Sequence, residues 1–102
     1  MSLSQKLLAL VSGIDNPKVR IDIMSTVNFL FDLYTSGRIN EDQLRGDLYD
    51  ICRTIVSECN PDLVEDEARK RASVLVDELV RTMKVEGLRA RTLSRFAGRP
   101  VI

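Results

Sequence analysis

The sequence predicts an all-α fold: a four-helix bundle-like domain with a long C-terminal helix and a short basic tail. Three observations predict it. Apolar residues recur at three- and four-residue spacing along four segments, with no strand-like alternation competing. Cap residues, prolines and glycines fall between those segments. The connections are short, which makes successive helices antiparallel neighbours. With 102 residues, 44% hydrophobic and 29% charged, the chain has the composition of one globular domain that can fill a core without staples.

The first segment, Ser4 to Ser12, sets Leu3, Leu7, Leu8, Val11 and Ile14 at helical spacing, and Gly13 suits its end. Asp15-Asn16-Pro17 then supplies a cap residue followed by proline at the first helical position. The second helix runs to about Ser36, stopped by Gly37. It is apolar on most sides, leaving a narrow polar stripe of Lys18, Asp22, Ser25 and Asp32. That pattern predicts a central helix covered from several directions.

Asn40-Glu41-Asp42-Gln43 is a capping box, so a third helix starts there. Leu44, Leu48, Ile51, Cys52, Ile55 and Cys59 mark its inner face, and Asn60-Pro61 ends it. The fourth helix is expected from about Asp62 to Glu86, closed by Gly87. Its stripe is Val64, Ala68, Ala72, Leu75, Val76, Leu79, Val80 and Met83. At about 1.5 Å per residue it reaches about 37 Å, longer than its neighbours cover. Its end, around Val80, Met83, Val85 and Leu88, is therefore expected to project with apolar residues exposed, Val80, Met83 and Leu88 forming a homodimer interface, unless the first helix packs there. The expected organisation is a bundle domain, 1–87, and an arginine-rich C-terminal tail, 88–102.

Composition narrows the chemistry. The chain has no histidine, so the usual neutral-pH general base and the Ser-His and Cys-His nucleophile pairs are absent. Cys52 and Cys59, seven apart on one helix, lie about 10.5 Å apart in rise, too far for a disulfide. Two small buried thiols fit a reducing cytoplasm, the expected location. No apolar run approaches the length of a membrane helix, and the first residues lack a secretory cleavage pattern.

Carboxylates cluster as Asp47 with Asp50, as Asp62, Glu65, Asp66 and Glu67, and as Asp77 with Glu78. Asp47 and Asp50 fall off the apolar stripe of their helix, and the group from Asp62 to Glu67 falls in the first turns of the long helix, where negative charge offsets the macrodipole. Arg69, Lys70 and Arg71 follow at i,i+4 from Glu65, Asp66 and Glu67, so this basic triplet is expected to be neutralised on its own helix. The string from Asp32 to Gln43 resembles a calcium-binding EF-hand loop in cadence, with Gly37 at the turn and Ile39 at the apolar position. Tyr34 and Gln43 replace ligand oxygens that such a loop needs, and a helix end followed by a capped helix explains the same residues. No catalytic residue, metal site or cofactor is predicted.

The 15 basic and 15 acidic residues are unevenly placed. Residues 1–78 hold nine basic and fourteen acidic side chains, and residues 79–102 hold six and one. Arg89, Arg91, Arg95 and Arg99, with Phe96, make the tail a candidate contact arm. The expected function is a non-catalytic assembly or protein–protein interaction subunit. The alternative is a nucleic-acid-binding accessory protein, with the arginines on RNA or DNA phosphates and Phe96 stacked on a base.

Overall fold

The computed structural model describes residues 2–97, the last nine by backbone path alone. Four helices follow one another: α1 (Leu3–Val11), α2 (Pro17–Thr35), α3 (Glu41–Cys59) and α4 (Glu65–Ala97). Among the described residues there is no strand.

Local chemistry fixes the helix ends. Ser2 and Gln5 form a capping box at the start of α1, and Asn40 and Gln43 form one at α3. In the second, the Gln43 amide donates to Asn40 Oδ1 at 2.8 Å and the Asn40 amide to Gln43 Oε1 at 2.9 Å. Asn16 Oδ1 accepts from the Lys18 amide, with Pro17 at the first helical position of α2. At the other end of α2, Gly37 takes φ +78°, in the left-handed region. The Arg38 amide then donates to Leu33 O and the Gly37 amide to Tyr34 O, the paired bonds of a Schellman ending. The segment that resembles an EF-hand is thus a capped stop and restart.

Ion pairs between helices give the topology. Glu41 pairs with Lys84, Arg45 with Asp77 at 2.7 Å, and Arg53 with Glu65 at 2.8 Å, so α3 and α4 run antiparallel. Lys6 meets Glu78 at 3.1 Å and the Leu3 amide donates to Glu86 Oε1, so α1 also runs antiparallel to α4. α2 packs on α3 and α1. The bundle is up-down-up-down.

The core lies between α3 and α4, floored by α1. Leu44, Leu48, Cys52, Ile55 and Val56 face Ala68, Ala72, Val76, Leu79, Val80 and Met83, with Leu3, Leu7, Val11 and Ile14 closing one side. The expectation of a central α2 is corrected: it buries Ile23, Val27 and Leu30 but leaves Ile21 63% and Phe29 60% exposed. A helix rich in apolar residues on every side need not be covered on every side, because only its inner face reaches α1 and α3.

The end of α4 is corrected too. It continues through Gly87 to Ala97, about 50 Å in all, so no helix end marks the expected boundary at residue 87. Gly87 is buried, and a Cβ there would stand 3.3 Å from Thr35 Cγ2. The glycine admits the end of α2 against α4 rather than stopping the helix. At its start, Pro61 and Asp62 form a turn closed by the Leu63 amide on Asn60 O, and α4 begins at Glu65 rather than Asp62.

Candidate functional site

The first turns of α4 run past the ends of two shorter helices. α1 and α3 finish side by side, close enough that a Cβ on Gly13 would stand 3.1 Å from Cys59 Sγ. The junction leaves an apolar groove of about 430 Å³. Ile55 and Val56 of α3, both buried, form its floor; Ala9 and Leu10 of α1 form one wall, and Val74 and Leu75 of α4 the other. Val74 is 55% exposed, and Cys59 and Asn60 stand at the α3 end. Every side chain lining it is neutral except Lys70 and Arg71 on the rim.

That rim departs from the expected neutralised triplet. Arg69 does meet Glu65 at 3.2 Å, but Lys70 reaches Glu67, three residues back, at 3.8 Å rather than Asp66. Arg71 makes no ion pair among the described residues; it lines the groove instead of returning to Glu67. Glu65 is held below the ordinary carboxylate range, chiefly by its hydrogen bond with Arg53 and then by Arg69. The groove therefore presents apolar surface edged by positive charge.

The residues expected at a homodimer interface divide. Val80 is 1% exposed and Met83 fully buried, so both belong to the core of the single chain and offer nothing to a second copy. The reason is that α1 packs along this stretch of α4, as the Lys6–Glu78 and Leu3–Glu86 contacts record. Leu88 is exposed, one turn beyond. Arg89, Arg91, Arg95 and Phe96 fall on the part of α4 described by backbone alone, and Arg99 lies outside the described residues.

The cysteines also divide. Cys52 is buried, and burial pushes its thiol up to about 12. Cys59 is exposed, against the expectation of two buried thiols. Asp47, Asp50, Asp62, Asp66 and Glu67 are all exposed, as their positions off the stripes predict. Among the described residues, no three Cys, Asp or Glu side chains gather to hold a metal ion. No described helix is long and apolar enough to cross a membrane.

No local pattern in the sequence marks the groove, because its parts lie in three distant segments. One signal was present: Val74 and Leu10 are apolar residues that the core stripes of their helices leave over. No protein-family model, curated protein or solved structure matches the chain.

Proposed function

We propose that the protein is a non-catalytic assembly subunit, a rigid helical platform that holds a protein partner, with the arginine-rich C-terminal segment as a contact arm. The observation that carries this reading is the open groove at the α1, α3 and α4 junction. Helical partners bind through apolar anchors laid into such grooves, and charged rims orient them. A platform needs fixed walls, and these are supplied by helices whose ends are capped and whose inner faces are buried.

The test is capture of a partner by the intact protein, followed by reconstitution of the complex from purified components. Val74→Glu places a carboxylate in the groove wall and should weaken binding at least about tenfold, the effect of losing a central apolar contact. A reconstituted complex indifferent to Val74→Glu, or no partner at all, would refute the groove as the binding site.

One observation favours a second reading, binding of RNA or DNA. Because α4 stays helical to Ala97, Arg91 and Arg95 lie one turn apart, on one side of the helix by spacing. Such a basic line suits phosphates. Binding that falls steeply with salt and disappears on removal of residues 88–102 would support it; salt-independent or absent binding would end it.

A further inference from the structure

Two surfaces are left open on opposite accounts. The groove is apolar with a cationic rim, and the outward face of α2 is apolar with carboxylates. We propose that the groove receives a second copy of the chain through that face of α2, which carries Ile21, Phe29, Asp22 and Asp32.

The inference rests on the groove being a docking site, and it names the occupant. Ile21, Ser25 and Phe29 follow one another at four-residue intervals, so they share one side of α2, with the two large side chains about 12 Å apart. Both are more than half exposed, whereas Ile23, Val27 and Leu30 occupy the inner side. Asp22 and Asp32 border them and make no ion pair among the described residues. Lys18 lies one turn before Ile21, and the face remains net acidic with it included.

Across the contact, Arg71 and Lys70 would meet these carboxylates while Phe29 and Ile21 fill the space beside Val74 and Leu75. The match is one of net charge sign and apolar content together. The two patches are different parts of the molecule, so the contact is heterologous: the face of one copy enters the groove of the next. With two large apolar anchors it belongs at the small end of specific interfaces, below about 1,200 Å² in total. Association should therefore be weak and rise with concentration, and salt should weaken it further.

Sedimentation of the full chain over a concentration series tests this, using Val74→Glu and Phe29→Glu as two complementary variants. Both positions are exposed, so each variant should keep the parent's far-UV circular dichroism. The parent should rise above 11.5 kDa with concentration. Each variant alone should stay at or near the monomer mass, its association weakened at least about tenfold. Mixed together they should form a heterodimer, because Val74→Glu keeps an intact α2 face and Phe29→Glu an intact groove. A parent that is monomeric throughout, variants that associate like the parent, or a mixture that stays monomeric would each overturn the inference. So would association lost only on removing residues 89–102, which would assign the contact to that segment. A monomeric parent would leave the platform reading standing, since that is read from the binding of a different protein.

Discussion

Replacing Gly87 with alanine separates a helix that passes through this residue from one that stops at it. Inside a helix, Gly→Ala gains about 0.5–1 kcal/mol from backbone entropy and propensity. Here the new Cβ would meet Thr35 Cγ2 at 3.3 Å, closer than the roughly 3.5–4.0 Å of a favourable carbon contact. Thr35 cannot turn aside freely, because its hydroxyl donates to Phe31 O at 3.0 Å, a bond worth about 1 kcal/mol net. The gain and the crowding should cancel to within about 0.5 kcal/mol. Thr35→Ser removes Cγ2 and keeps the hydroxyl, so in that background Gly87→Ala should stabilise by about 1 kcal/mol, or about 4–8 °C in Tm. Gly46→Ala, exposed within α3 and with nothing within 4 Å of its added Cβ, should show the full gain without any second change. Thermal and urea unfolding followed by far-UV circular dichroism reads all five proteins. If α4 ended at Gly87 in the left-handed conformation, alanine would instead cost about 1–2 kcal/mol in both backgrounds. That result would refute the continuous helix.

Other consequences are as direct. Met83→Ala should cost about 2–5 kcal/mol in urea unfolding, because the side chain is fully buried; an exposed interface residue would cost under about 0.5 kcal/mol. A thiol reagent should modify Cys59 at once in the folded protein and Cys52 only on unfolding, since Cys52 is buried with its thiol pushed up to about 12. Simultaneous modification of both would contradict the packing of α3. Glu41 is held below its ordinary value of 4.5, first by its hydrogen bond with Lys84 and then by Arg45. A carboxyl lowered in the folded state stabilises the fold above its unfolded value and loses that contribution as pH falls through the lowered one. Stability should thus be level near neutrality and decline below about pH 4.5, with a shallower decline in Glu41→Gln; an unchanged acid limb in that variant would refute the role given to the pair.

Much of the fold was legible because the signals are local. Asn16-Pro17, Gly37 and the Asn40–Gln43 box each act within a few residues of where they stand, and each sets a helix end where the sequence places it. Gly87 carries the same residue type as Gly37 with the opposite consequence. Its role depends on Thr35, fifty-two residues away, which no local pattern announces. The expectation of a central α2 fails for a related reason: spacing shows which residues share a face, not whether a neighbour covers it, and Ile21 and Phe29 are left uncovered. Val80 and Met83 were legible as apolar stripe residues, but their covering by the nine-residue α1 follows from where its contacts to Glu78 and Glu86 place it. The groove was the least legible feature, because it is made where the ends of α1 and α3 meet the side of α4, and Arg71 turns toward it rather than to Glu67.

Association through the groove and the outward face of α2 would leave a signature residue by residue. Amide chemical shifts of the isotopically labelled protein, recorded as its concentration is raised, test this most directly. Progressive shifts are expected at Leu10, Cys59, Arg71 and Val74 on one side and at Ile21, Ser25 and Phe29 on the other, with the α3–α4 core unmoved. Shifts that do not change with concentration, or that gather along α4 beyond Gly87 and leave both surfaces untouched, would contradict it.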